Sequence, residues 1–362
     1  MRSNARKGLD TLFGIIESNY RAIQYRRAAR KRLRRMNGGY KCSVEYKSVV
    51  LPYWRQFNVK PKEYWYSLYS ADSRKVDPRY IPDDLWFGKI IPYFSNMQFR
   101  RACEDKCMHS IWFSELKRPR TFVMNIAGIF YDENYNIISK DDAVDICLNN
   151  KKFLIKPSID SGEGRLISFF DDETVTDSKI LSVFDSLNSN FIAQEIINQH
   201  SALAKINEKS LNTIRVVSLL FKGEVHILSA ILRMGGSESR VDNVGAGGYA
   251  CKINDDGKLN QFGVNRKSEW SSKHPNGTLF SDVSVPSYKK IIETIKREHI
   301  KLAHFKIIGW DFGVDIDNDP VFIEYNTCPG QNQMTCGPTF GNLTEDVLED
   351  VFIKKTLEGS KN

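Results

Sequence analysis

The sequence predicts an α+β fold with mostly antiparallel sheets, preceded by an N-terminal helical region. Three observations carry this expectation. From residue 121 onward, apolar segments of strand length alternate with turn-rich segments, and few helical stretches interrupt them. Residues 41–95 are aromatic-rich and broken by Pro52, Pro61, Pro78, Pro82 and Pro92, the pattern of short helices and loops. The chain has 362 residues, 41% of them hydrophobic, with 21 Phe and 15 Tyr, which is enough for two or three domains and excludes a disordered chain.

Residues 8–36 read as one helix. Leu9, Leu12, Phe13, Ile16, Tyr20 and Ile23 recur at helical spacing, and Asn37-Gly38-Gly39 supplies a stop. Residues 1–41 hold twelve Lys/Arg against Asp10 and Glu17, a balance of +10 in a chain whose total is +8. Such a leader suits an acidic membrane surface or an acidic polymer; the alternative is an ordinary amphipathic helix packed on the body. Nucleic acid is not the expected partner. No run of about 18 apolar residues is present, and MRSNARKGLD lacks an apolar h-region, so neither a transmembrane helix nor a signal peptide is expected. The seven Cys are scattered, and Cys103 and Cys107 have no second pair or nearby His. Neither a disulfide framework nor a zinc site is indicated, and the expected location is cytoplasmic, at most at the inner face of the membrane.

A helical stretch is expected near 97–115. Strands follow over TFVMNIAGIFYDE, KKFLIKPSI and GRLISFF, with helix-like DDAVDICLNN between the first two. A helix near 177–187 leads to the strand NFIAQEII. The second half runs through TIRVVSLLF, EVHILSAILRMG and GGYACKIND, then the helix SYKKIIETIKREHIKLA, then a last hairpin over 309–326.

That hairpin is the most informative segment. Asp317-Asn318-Asp319-Pro320 is turn chemistry, so 310–316 and 321–326 become antiparallel partners whose numbers sum to about 636. Asp311 then faces Glu324 and Asn326, which share one face of their strand, with Phe322 beside them. Clustered carboxylates are costly unless a cation neutralises them, and this oxygen set suits Mg²⁺ (or Mn²⁺). Asp315, Asp317 and Asp319 read as a solvated acidic face. A second segment, residues 153–168, ends a strand in Lys156-Pro157 and continues into the small-residue loop Ser158-Ile159-Asp160-Ser161-Gly162-Glu163-Gly164. Backbone N–H groups of such a loop can face an anion beside the lysine charge. The GxxxxGK[ST] pattern is absent, and taken alone the loop is equally a hairpin.

Lys156-Pro157, a glycine loop, a strand ending in Gln194-Glu195-Ile196-Ile197, and Asp311 thirteen residues before Glu324-Tyr325-Asn326 occur in that order. This ordered set resembles the ATP-grasp superfamily. The wording RPRTFVMNIAG, IKPSIDSGEGRLI, AQEIINQHSALAKIN, VDNVGAGGY, GWDFGVDI and EYNTCPG is most similar to its sugar-transfer-associated branch, implicated in cell-surface polysaccharide biosynthesis. The resemblance implies an ATP-grasp fold, two α+β lobes clasping ATP. The domain organisation becomes a basic helix at 1–40, an aromatic-rich helical region at 41–96, a small lobe at 97–195 and a large lobe at 196–355 with the metal-binding hairpin.

The resemblance also implies roles. Lys106 and Lys156 would hold the nucleotide phosphates, beneath Ser161, Gly162 and Gly164. Gln194, Glu195 and Ile197 would meet the adenine at the hinge, and His200 the ribose, where the superfamily more commonly has Glu. Arg215, Arg233 and Asn243 would serve the transferring phosphoryl group, and Asp311, Glu324 and Asn326 the metal. The plainer alternatives are a surface lysine for Lys106, a capping histidine for His200, structural ion pairs for Arg215 and Arg233, and a hairpin loop for 241–248. No general base stands out, Asp315 being one candidate, and His274 reads as a surface residue. The implied activity is an ATP-dependent carboxylate–amine ligase working through an acyl phosphate, joining a small-molecule or glycan carboxylate to an amine. A kinase on the same fold and a non-enzymatic glycan- or membrane-binding scaffold are the alternatives. The aromatics of 41–95 read as a helical core, with a sugar-stacking platform as the second reading.

Overall fold

A computed structural model describes residues 20, 22–36, 38–71, 73–159, 166–171, 175–236, 238–242 and 247–354. Residues 1–19 of the basic leader, Ser161, Gly162 and Gly164 of the small-residue loop, and Asn243 lie outside the described residues.

Two antiparallel sheets organise the chain. The first contains β1 (Thr121–Ile126), β2 (Ile129–Asp132), β3 (Ile137–Ile138), β4 (Phe153–Pro157), β5 (Ser168–Phe170) and β6 (Phe191–Glu195), in the order β3-β2-β1-β6-β4-β5. The second contains β7 (Thr213–Phe221), β8 (Glu224–Met234), β9 (Tyr249–Ile253), β10 (Leu259–Asn265), β11 (Trp270–Ser271), β12 (Ile307–Val314) and β13 (Pro320–Asn326), in the order β11-β10-β9-β8-β7-β12-β13. The segment TFVMNIAGIFYDE, expected as one strand, folds as the β1–β2 hairpin. Ala127 and Gly128 both take positive φ, 52° and 93°, in a two-residue loop whose twist matches that of the strands.

Each sheet buries its apolar residues against helices. The helices Lys140–Leu148 and Asp177–Leu187 cover one face of the first sheet, where Phe153, Ile155 and Phe191 meet Phe184 and Ile180. Because side chains alternate along a strand, Leu154 and Lys156 of β4 then point to the opposite face. The second sheet is covered on both faces. The helix Tyr288–His299 packs Ile291 and Ile295 on one. The aromatic N-terminal region packs on the other, where Val217, Leu219, Phe221 and Ile307 meet Trp54, Trp86, Ile90 and Phe94. β12, at the middle of this sandwich, is buried along its whole length. Its Trp310 Nε1 donates to Ser218 Oγ at 2.8 Å, and Ser218 Oγ lies 2.8 Å from His299 Nδ1.

Four local expectations are corrected. The stretch near 97–115 is a chain of short turns over Met97–Phe99, Arg100–Cys103, Lys106–Met108 and His109–Trp112. Asp105 accepts the Cys107 N–H at 3.0 Å, an Asx cap that interrupts the run and sets the direction of Lys106. Pro52 and Pro92 lie inside helical runs, each just after a π-helical turn, Tyr46–Val50 and Trp86–Ile90, that accommodates the missing N–H. In the N-terminal helix, described over 22–35, Tyr20 and Ile23 are exposed, because the packing face is Tyr25, Ala29 and Leu33. His274 is fully buried, with Nε2 at 2.8 Å from Gly235 O.

Gly309 on β12 sits against the loop that follows β13. A Cβ there would meet Pro329 Cβ at 2.7 Å, and a pyrrolidine ring cannot swing away. Gly309→Ala is therefore expected to cost about 1–3 kcal/mol, read from the midpoint of chemical denaturation. Unchanged stability would contradict this packing.

Candidate functional site

The two sheets face each other across a cleft of about 1420 Å³. Strand alternation selects its walls. From the first sheet come Leu154 and Lys156 of β4, Phe169 of β5, and Gln194 and Glu195 of β6, followed by Ile196–Gln199. From the second come Thr213 and Arg215 of β7, Arg233 of β8, Asp311 of β12, and Ile323, Glu324 and Asn326 of β13.

The hairpin register sets Asp311 opposite Glu324, as expected, but Asn326 pairs with Gly309 and not with Asp311. Then Phe312 pairs with Phe322, so Ile323 is an extra residue, a β-bulge. The bulge lets consecutive residues Ile323 and Glu324 both face the cleft, while Phe322 turns into the core and is 1% exposed. Ile323, not Phe322, is the apolar neighbour of the acid pair. With Leu154, Ile167 and Phe169 it forms an apolar slot beside the hinge.

The two lysines arrive from different elements and are tied together by backbone. The Lys106 N–H donates to Ser158 O at 3.0 Å, just past Lys156-Pro157. Lys106 Nζ then lies 3.0 Å from Glu324 Oε2. Lys156 is buried at the strand end. Burial first, then Lys106, pushes its ammonium down to about 8, and Glu324 opposes that fall. Burial alone would raise the Glu324 carboxyl, but Lys106, Lys156 and Arg215 outweigh it and hold Glu324 well below the usual carboxylate range. Beneath Lys106, burial and then that lysine push His109 down to about 3, so the imidazole adds no charge.

Asp311 is 1% exposed and both of its oxygens are engaged. Arg215 grips it with two N–H groups, Nη2 to Oδ2 at 2.6 Å and Nε to Oδ1. Arg233 Nη2 is 3.2 Å from the same Oδ2 and 3.1 Å from Asp242 Oδ2. Burial works against the Arg233 guanidinium, but Asp242 and Asp311 outweigh it and raise its pKa. Arg215 and Arg233 are thus ion-paired and also face the cleft. Asn326 Nδ2 is buried without a hydrogen-bond partner among the described residues. Turning that amide over would present its oxygen at the same place.

At the hinge, Gln194 Nε2 donates to Pro119 O at 3.3 Å and Thr121 Oγ1 at 3.1 Å. The Glu195 N–H is committed to Arg120 O at 2.9 Å, whereas the Ile197 N–H makes no backbone hydrogen bond to the described residues. His200 is not brought to the cleft. It caps the helix Ser201–Ala204, its Nδ1 accepting the Ala202 N–H at 3.1 Å, and Glu208 lines the cleft instead. Asp315 is also elsewhere. It pairs with Lys117 and accepts the N–H groups of Asp317 (3.1 Å) and Asp319 (2.9 Å), so it holds the turn and is no base for the cleft. Asp242 was missed in the sequence because it meets Arg233 only through the path of the segment between β8 and β9, and His109 because nothing in its local sequence marks it.

Two antiparallel sheets closing on a cationic, apolar-walled cleft with a carboxylate-bearing β-hairpin form the ATP-grasp architecture. The chain belongs to the sugar-transfer associated ATP-grasp family, whose model matches residues 98–347. Similar solved structures include the D-alanine–D-alanine ligase of Helicobacter pylori, at 16% identity over 68% of this chain and 60% of that one, TM-score 0.38. The D-alanyl-alanine synthetase A of Vibrio cholerae is similar at 12% identity over 69% and 65%, TM-score 0.41. The L-amino acid ligase of Bacillus licheniformis is similar at 13% identity over 69% and 48%, TM-score 0.37. The chain thus spans 60% of the length of the first of these. No curated protein matches it in sequence. Among the described residues, no helix is long and apolar enough to cross a membrane.

The charge coupling is directly measurable. Carbon-detected titration of labelled lysines should show Lys156 with a midpoint near 8, against an ordinary value of about 10.4. Glu324→Gln removes the influence that raises it, so the midpoint should drop further. An ordinary midpoint in the wild-type protein would contradict the geometry.

Proposed function

We propose that the protein is an ATP-dependent carboxylate–amine ligase. The carrying observation is the convergence of Lys106 and Lys156 on Glu324, beside an apolar slot and facing Arg215 and Arg233. Family membership supports the same reading.

The adenine ring is assigned to the slot of Leu154, Ile167, Phe169 and Ile323, with the Ile197 N–H as hinge donor and Glu208 near the ribose. Lys106 and Lys156 bind the phosphates as point charges. The metal assignment rests on donor chemistry. Glu324 is a quarter exposed toward the cleft, and the Asn326 amide is unpartnered, so both fit a hard cation such as Mg²⁺ or Mn²⁺. Asp311 joins them only by loosening its guanidinium pairs. The metal supplies neutralisation of charge on the transferring phosphoryl group.

In this reading, an oxygen of the substrate carboxylate attacks the γ-phosphorus, and the bond to the β–γ bridging oxygen breaks to release ADP. Arg215 and Arg233 orient and neutralise the oxygens of the transferring group. The amine nitrogen then attacks the acyl carbon. The carbon–oxygen bond to the phosphoryl group breaks, phosphate leaves with the electron pair, and the amine proton passes to phosphate or water. The family's description as sugar-transfer associated supports a setting of sugar transfer, which we read as cell-surface polysaccharide biosynthesis in a compartment that holds ATP and is reducing. Seven cysteines without a disulfide suit that environment.

The test incubates the purified chain with ATP, Mg²⁺ and a panel of uronic acids and amino acids. ADP and phosphate should appear only when a carboxylate and an amine are both present. AMP and pyrophosphate, or a stable phosphoester formed without an amine, would overturn the ligase reading. Glu324→Ala should lower turnover on the order of 10²- to 10³-fold, the scale of losing one preorganised electrostatic contact. An unchanged turnover would take Glu324, and the metal assigned to it, out of the chemistry.

Nucleotide affinity should also depend on pH. A bound polyanion favours the charged lysine, so affinity should weaken as pH rises through about 8, where free Lys156 loses its proton. Calorimetry should show this loss in the wild type and a flat profile in Lys156→Arg. Equal slopes in both would place the titrating group elsewhere.

A further inference from the structure

The cleft continues past the phosphate-facing side chains. β13 starts beside the hinge, where Gln199 bridges Asp315 and the Ile316 N–H donates to Asn198 O at 2.9 Å. It runs away from the hinge to Asn326, and the loop beyond brings Gly330 and Gln331 to the cleft wall. At this far end, residues of the N-terminal helical region complete the wall. Tyr25 and Phe87 stack there, with ring centroids 3.9 Å apart and planes 7° from parallel. The arrangement is held from the loop side, since Trp86 Nε1 donates to Pro329 O at 2.8 Å.

Beside the stacked rings is Asp83. Gln331 Nε2 donates to its Oδ1 at 2.9 Å, which aims the carboxylate along the cleft wall. Among the described residues it forms no ion pair. The charge of Arg32 reaches it, but the Arg32 Nε–H is given to Ser268 Oγ at 2.6 Å. Gln331, the Tyr69 hydroxyl and the charge of Arg32 offset the burial of this half-buried carboxylate only in part, and the remaining cost falls when a cation arrives. Burial pushes the Asp83 carboxyl up to about 6, so at neutral pH it is still charged and short of solvation. A hydroxyl would leave that charge uncompensated, and a second carboxylate would repel it. Phe87 is 7% exposed and covered on one face by Tyr25, so it is the half-buried Tyr25 ring that offers apolar area to a sugar ring and a negative quadrupole to an ammonium group.

We propose that this far end is the acceptor subsite and that it takes a primary amine carried on a sugar ring. The sugar ring lies against Tyr25, which Phe87 backs, and the ammonium on Asp83. The proposal rests on the ligase reading and deepens it. The helical region at the N-terminal side of the family match is then part of the active cleft, and it selects the amine while the two sheets hold the nucleotide.

Ligand-observed NMR on the full chain, saturated with ADP and Mg²⁺, tests this with D-glucosamine, D-glucose and ethanolamine as probes. Glucosamine should bind roughly tenfold tighter than either, since each of the others lacks one of the two contacts. Asp83→Asn should erase the preference for glucosamine over glucose. Tyr25→Leu should weaken both sugars. In each variant the ADP affinity, measured in the same samples, should stay within about twofold of wild type, the tolerance expected if folding and the nucleotide end are intact. Equal binding of glucosamine and glucose, equal binding of ethanolamine and glucosamine, or a preference that survives Asp83→Asn overturns the proposal. If ADP binds normally in that case, the subsite alone has failed. If wild-type protein binds no ADP, the ligase reading fails and the subsite with it.

Discussion

The structure depends on keeping four cations, Lys106, Lys156, Arg215 and Arg233, in one cleft between two β-sheets. Three carboxylates, Glu324, Asp311 and Asp242, balance them incompletely. Two of these groups carry the cost visibly: the Lys156 ammonium is pushed down to about 8, and the Glu324 carboxyl is held low only by its lysine neighbours. A polyanion entering the cleft would relieve the lysines, and a divalent cation would replace the lysine contact of Glu324. Stability at this spot is given up for a site organised before its ligands arrive.

Backbone geometry makes that placement possible. The β4 alternation puts Lys156 opposite a core of Phe153 and Ile155, so its orientation is fixed by packing on the far side of the strand. The bulge at Ile323 breaks alternation where it is useful, presenting an apolar and an acidic side chain together. The Asx cap at Asp105 turns Lys106 out of what would otherwise be a continuing helix. The N-terminal region packs its Trp86 and Ile90 beneath the second sheet and thereby carries Asp83 and Phe87 to the far end of the same cleft. One core therefore connects cleft-lining groups more than two hundred residues apart in sequence.

Much of this was legible in the sequence. Strand alternation and the Asp317–Pro320 turn sufficed to bring Asp311 and Glu324 together on one hairpin, although the pairing that leaves the turn would set Asp311 opposite Ile323 and the bulge is what moves it to Glu324. The order of Lys156, the hinge strand and the acidic hairpin sufficed for the fold. What was not legible depends on long-range geometry. The partners of Asp311 follow from the β7–β12 and β7–β8 registers, which no local pattern encodes. The bulge that buries Phe322 leaves no compositional trace. His200 and Asp315 looked chemically apt, but one caps a helix and the other ties a turn, roles that their residue types fill as readily as catalysis. The aromatics of 41–95 were read as core, and Trp54 and Trp86 are, yet Phe87 lies both in that core and at the cleft wall.

The most direct test of the central claim is a crystal structure of the chain with Mg²⁺ and a non-hydrolysable ATP analogue. The account predicts the adenine between Phe169 and Ile323 and the phosphates against Lys106 and Lys156. It also predicts the metal on Glu324 and Asn326, with the Lys106–Glu324 contact opened. A nucleotide bound outside this cleft, or Glu324 still paired to Lys106 with the phosphates elsewhere, would contradict it.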